Sequence, residues 1–315
     1  MQNKKAQIEF NWLFALIVGA VILFLAFLFA SRLISTERYA SETELVKNFD
    51  ILLNPFASVG GIGRITLAKA IEMPQAVQIN QTCSASAADS KITMRMRSES
   101  SVGSKWGEWS AANNIYNKYI FSDSFMAAKR FDVLGKPFEV AFRVDDLIYV
   151  IDKNYCFVNA PSNVKSELEW LNLSRIQFAA SSGSCKPDSL KVCFGTACDI
   201  TVIGQCSPGC ESAYDYGYVQ KSGRVMNYVT SSLMYGAIFS DSAMYNCEFS
   251  RLTARLKSIA EIYQQKASML SSQGCNTDLL QERLGDVKDA VLSAEIIYKI
   301  AQDLEDANPA ECPVF

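Results

Sequence analysis

The chain contains no histidine. Without imidazole there is no Ser-His-Asp triad, no Cys-His pair and no His-ligated zinc or iron. Any chemistry would fall to carboxylates, lysine, tyrosine or cysteine. An excess of charge is also missing. The 30 Lys and Arg against 33 Asp and Glu leave a net −3, and no basic surface of the kind nucleic acid requires, so nucleic acid is not an expected partner. Gly-Lys-Ser phosphate loops, nucleophile elbows, His-Glu-x-x-His helices and calcium loops are absent too. The glycine cluster Val59-Gly60-Gly61-Ile62-Gly63 has no strand–loop–helix frame and reads as a turn. No catalytic residue, cofactor or metal site is predicted from motifs.

A further absence is local. From Trp12 to Ala30 no side chain is charged or strongly polar. As a helix this stretch spans roughly 28 Å, the thickness of a bilayer's hydrocarbon core, and only a helix satisfies its own backbone polar groups in lipid. A transmembrane helix over 12–31 is therefore expected, with lipid as its partner and the rest of the chain on one side. Basic residues hardly decide the side, since Lys4 and Lys5 stand against Arg32, Arg38 and Lys47.

What is plentiful is cysteine. All ten follow the apolar stretch: Cys83, Cys156, Cys185, Cys193, Cys198, Cys206, Cys210, Cys247, Cys275 and Cys312. An even, clustered set behind a membrane segment reads as disulfides in an oxidising space. That predicts a cytoplasmic N-terminus and an extracellular bulk. Cys193–Cys198 falls where two strands turn, as a bridge across a hairpin. Cys206–Cys210 closes a tight loop. The competing reading is a four-thiolate zinc knuckle at Cys193, Cys198, Cys206 and Cys210.

The N-terminal residues Lys4-Lys5-Ala6-Gln7-Ile8-Glu9, directly before the apolar run, resemble the class III signal of archaeal type IV pilin-like proteins. The resemblance implies cleavage between Ala6 and Gln7, retention of the apolar helix for packing in an assembly, and a role for Glu9 in pairing with a neighbouring subunit's freed amine. The stretches Tyr235-Gly-Ala-Ile-Phe-Ser-Asp and Tyr245-Asn-Cys-Glu-Phe-Ser-Arg-Leu resemble segments of uncharacterised single-pass archaeal envelope proteins. That adds a cell-envelope setting and no activity. An uncleaved signal anchor is the plainer alternative.

After the membrane the helical pattern continues through Leu33, Ile34, Tyr39, Leu45, Val46 and Phe49 until Asn54-Pro55 ends it. This gives a stalk over 32–58. From 59 to 230 the chain reads mostly as short strands, at Val77–Thr82, Ile92–Arg97, Phe138–Val144, Leu147–Ile151, Arg175–Ala179, Leu190–Phe194, Ile200–Ile203 and Gly217–Val229. Asp145-Asp146 reads as a turn, and Ser162–Leu171 as a short helix. Trp106-Gly-Glu-Trp109 is core if buried and a glycan or partner surface if exposed. Asn80-Gln81-Thr82 and Asn172-Leu173-Ser174 are glycosylation sequons, close to the number chance provides.

Over 231–315 the character changes. Ser240-Asp-Ser-Ala opens one helix, with Phe249, Leu252, Leu256, Ile259 and Tyr263 on a face. Gly274 breaks it. A second helix repeats Leu280, Leu284, Val287, Val291, Ala294, Tyr298 and Ala301. Two comparable helices make an αα-hairpin whose end returns to its base, which predicts a Cys247–Cys312 staple. The expectation is an α+β protein: a transmembrane helix, a β-rich disulfide-bonded ectodomain and a C-terminal helical hairpin. Its expected role is structural, in self-assembly or with other envelope proteins. A ligand-binding surface receptor or adhesin, and a tethered hydrolase lacking histidine, are the alternatives.

Overall fold

The computed structural model describes residues 3–61, 67–100, 105–205 and 214–315, with side chains from 12–29 and 39–58 in the first stretch. Cys206 and Cys210 lie outside the described residues. The chain is α+β. It opens with one uninterrupted helix, α1 (Asn3–Leu52), followed by a 3-10 helix at Asn54–Gly61 that starts where Pro55 cannot continue the ladder.

The first sheet has six strands: β1 (Leu67–Ser86), β2 (Asp89–Ser98), β3 (Asn113–Ile115), β4 (Tyr119–Phe121), β5 (Phe125–Glu139) and β6 (Arg143–Ile151), in the order β3-β2-β1-β5-β6-β4. β1 is a long strand, and its register against β5 slips between Glu72 and Val77. Pro74 sits in that slip, where a residue without an N–H can be accommodated. Alternation decides what each face meets. Ile148 and Val150 of β6 turn to the side covered by α1, whereas Leu147, Tyr149 and Ile151 turn to the opposite core. Asp145-Asp146 is not a turn. The turn falls earlier, at Val140–Phe142, and both aspartates belong to β6.

The second sheet comprises β7 (Tyr155–Val158), β8 (Ile176–Ala179), β9 (Leu190–Phe194), β10 (Ile200–Gly204), β11 (Tyr216–Lys221) and β12 (Arg224–Val229), ordered β12-β11-β10-β9-β7-β8. Helix α2 (Ser162–Trp170) crosses from β7 to its parallel neighbour β8. The Gly217–Val229 stretch is a hairpin, turning at Ser222-Gly223, where both φ angles are positive. Gly217 faces Gly204 across β10, and a Cβ there would lie inside contact distance of the Ile203 carbonyl. Backbone cannot yield as a side-chain tip can. Gly217→Ala should therefore destabilise by about 2–3 kcal/mol, as overpacking does, read as a lowered denaturation midpoint.

Between the sheets lies α3 (Thr230–Phe239), whose residues from Ser232 to Phe239 are all buried. A helix apolar on every side belongs inside a core, and here it joins the two sheets into one. Helix α4 (Ser242–Ser271) follows, capped by Asp241, which accepts from the Ala243 and Met244 amides at 3.0 Å each. The far C-terminus differs from a two-helix hairpin. Its second arm is two helices, α5 (Asp278–Asp289) and α6 (Ala294–Ala307). The apolar repeat is interrupted at Val291, which is 88% exposed, and Ser293 accepts from the Ile296 amide to start α6 afresh. The change of direction lets Tyr298 stack on Tyr216 of β11 at 5.6 Å.

That third helix also reassigns the cysteines. Disulfides join Cys83 to Cys247, Cys156 to Cys185, Cys193 to Cys198 and Cys275 to Cys312. The predicted Cys247–Cys312 staple does not form. Because α6 turns back, the chain end reaches the α4–α5 joint and not the start of α4. Cys193 and Cys198 do pair, though β9 and β10 run parallel, so the bridge closes a tight crossover and not a hairpin. The pairing also leaves neither sulfur free for a zinc knuckle.

Candidate functional site

The feature that stands apart from the packed body is α1, which has two unlike halves. From Trp12 to Phe29 the helix has a mean hydropathy of 2.9 and none of it is buried against the rest of the chain. Leu23 and Phe27 are both 73% exposed. Ala6, Gln7 and Glu9 fall on the first turns of the same helix, and their side chains are not among those described.

The other half is docked on the first sheet. The buried positions Glu42, Val46 and Phe49 of α1 step by four and three, which keeps them on one side of the helix, and Leu53 and Phe56 just past its end continue the stripe. Phe49 meets Phe131 of β5 edge-on at 5.8 Å. Polar anchors flank this stripe. Glu42 Oε1 accepts from the Ser98 amide at 3.0 Å and from its hydroxyl. Asp50 takes Lys118 and the Asn113 amide group. The Ala111 amide donates to Thr43 at 3.2 Å. Of the residues expected to bury this helix, Tyr39 is exposed and Leu45 only half-buried. The stripe's first member is a glutamate, which hydrophobic periodicity alone does not reveal.

Beside Glu42 a cavity of about 550 Å³ opens between α1 and the β1–β2 edge, lined by Ser41, Glu42, Glu44, Leu45, Pro74 and Ser98 among others. It is half polar in character and open to solvent. The aromatic turn is not a free surface: Arg97 lies over Trp109 at 4.5 Å and over Trp106 at 5.9 Å, with its Nε donating to Gln78.

Two clusters of buried ionisable groups lie within the folded body. At the first, Lys221 donates to Asp123, to the Ile238 carbonyl at 3.2 Å and to the Ser240 carbonyl at 3.0 Å. Burial lowers its pKa below the ordinary lysine value, against the pull of Asp123. Three acceptors use its three protons, so it ties β11 to α3 and holds no lone pair ready for a hydroxyl. At the second, Glu248 and Arg251 of α4 are both buried and paired at 2.9 Å. Arg251 also donates to Ser90 and to the Lys118 carbonyl and lies 5.0 Å from the Tyr119 ring. Burial pushes the Glu248 carboxyl up to about 8, against the pull of Arg251 and of the Ile120 amide. The pair's partners are structural.

The aspartates of β6 and just beyond it each have a partner of their own. Asp145 pairs with Arg255, Asp146 with Arg143, and Asp152 accepts the Ala127 amide. Among the described residues no three His, Cys, Asp or Glu side chains gather as metal ligands do. No known protein family, curated protein or solved structure matches this chain.

Proposed function

We propose that this is a single-pass, membrane-anchored cell-envelope protein with its disulfide-bonded body facing outward and a structural, assembly-type role. Its specific version is a pilin-like subunit. The observation that carries the reading is the division of α1. One half is apolar around its whole circumference and covers nothing, and the same unbroken helix then becomes a wall of the folded body. A bare apolar helix seeks lipid or like helices. A continuous one passes its orientation directly to the domain. The four disulfides among the described residues agree with an oxidising compartment.

N-terminal mass spectrometry of the mature protein is the test. A start at Gln7 supports the pilin-like version, and an intact start or one lacking only Met1 removes it, leaving the signal-anchored receptor, whose ligand would sit in the cavity beside Glu42. Anchoring is tested separately. The protein should remain in the membrane pellet after alkaline carbonate. Leu23→Lys with Phe27→Lys, each costing about 3 kcal/mol at mid-membrane, should move it to the soluble fraction. A wild-type protein already soluble would end the reading.

A further inference from the structure

We infer that Asn172 carries an N-linked oligosaccharide and that Trp170 is the platform on which its first sugar rests. The inference depends on the outward-facing reading above. Asn172-Leu173-Ser174 supplies the acceptor sequence, and the structure adds two observations that the sequence does not contain.

First, Asn172 is the residue just past the end of α2. Its φ is +48° and its amide donates to the Glu169 carbonyl at 3.1 Å. That accounts for the backbone, since asparagine is a usual left-handed residue at a helix end. The side chain is exposed and makes no hydrogen bond within the described residues. Second, Trp170 ends α2 two residues earlier and is 74% exposed. An indole is a costly side chain to leave in water, and α2 otherwise buries Val164 and Leu168 as expected. The electron-rich ring face suits the C–H face of a pyranose, and the indole lies two residues before the asparagine. The other sequon is exposed too, with the half-exposed Phe125 opposite it, but it lacks the left-handed helix-end turn and the indole. Asn80 is in mid-strand, paired across to Arg95 and Phe125, and Gln78 stands two residues before it.

The donor is a lipid-phosphate-linked oligosaccharide. Asn172 Nδ2 forms a bond to the anomeric carbon, the bond from that carbon to the phosphate oxygen breaks, and the phosphate leaves with the electron pair. The amide proton passes to a base of the transferase. No electrons change hands. In the folded chain the Ser174 hydroxyl donates to Asp132 at 3.1 Å, as does the Arg175 amide, so the transfer occurs before Ser174 and Arg175 dock on β5, while the sequon is still extended.

The test uses full-length protein extracted from its native membrane. Trypsin releases Ser166–Arg175, which should carry an oligosaccharide mass on Asn172. Asn172→Gly retains the left-handed turn and should abolish that mass. A double-mutant cycle with Trp170→Ala on the melting temperature should give non-additive effects. Additive effects overturn the platform. Recovery of Ser166–Arg175 only at its bare mass, from protein whose cysteines resist alkylation, overturns the glycan and leaves the outward reading standing. A bare peptide with freely alkylating cysteines overturns both.

Discussion

Arg251→Met should destabilise the protein by about 3–5 kcal/mol, because it takes from a fully buried carboxyl group the guanidinium with which it is paired. Glu248 is fully buried and Arg251 nearly so. The same substitution removes the donors to Ser90 and to the Lys118 carbonyl, so α4 loses its hold on the β2 tip and on the approach to β4. Chemical denaturation of the purified full-length chain measures the loss. The double variant Glu248→Leu with Arg251→Met should recover most of it, since an apolar pair of similar volume has no charge to desolvate. A single variant within experimental error of wild type would refute the assignment of this pair as a structural clamp.

The same pair sets a pH dependence whose sign is determined. The Glu248 carboxyl rises to about 8 in the folded chain, above its value of about 4.3 when unfolded. Between these values the native state holds a proton that the unfolded state has released, so stability falls as pH rises through that window. Below it the contribution is complete, and above it the slope vanishes. Glu248→Gln should flatten the dependence over the same interval.

The second large effect belongs to the Cys83–Cys247 bond. It ties β1 to α4 across a separation of 164 residues. In the chain-entropy account, releasing a loop of that length costs about 5 kcal/mol, against about 2 kcal/mol for one the size of the Cys193–Cys198 loop. Replacing both members of each pair with serine and comparing thermal midpoints under non-reducing conditions separates the two. Equal losses would mean that local packing, and not loop closure, determines the contribution of the long bond.

What could be read from residue order follows the reach of each signal. The bare half of α1 is legible because an uncharged run of that length has few alternatives. The strands from Leu190 to Phe194 and from Ile200 are legible because β-branched residues sit between turn formers. Their parallel pairing is not, since a five-residue link ordinarily makes a hairpin. Asp145 and Asp146 imitate a turn until Arg255 and Arg143, one of them distant in sequence, are seen to neutralise them within β6. Helix α3 has no amphipathic period to betray it, because strands of both sheets and neighbouring helices cover it. The cavity beside Glu42 is invisible for a related reason, being formed by residues about 30 to 55 positions apart. Cysteine pairing failed at Cys247 because the prediction assumed two equal helices, and one break at Val291 sends the chain end elsewhere.

The long bond also imposes an order on manufacture. Cys83 leaves the ribosome with its eventual partner still 164 residues behind, a wait of roughly 10–30 s at ordinary rates of synthesis. Six other cysteines, from Cys156 to Cys210, emerge in the interval. In an oxidising compartment the first thiol to arrive is the wrong one for Cys83. The yield of correctly bonded protein is therefore governed by thiol reshuffling after the last helix has docked, and not by how fast the compartment oxidises. Production without a disulfide isomerase should accumulate full-length chains with Cys83 mispaired, resolved by non-reducing peptide mapping.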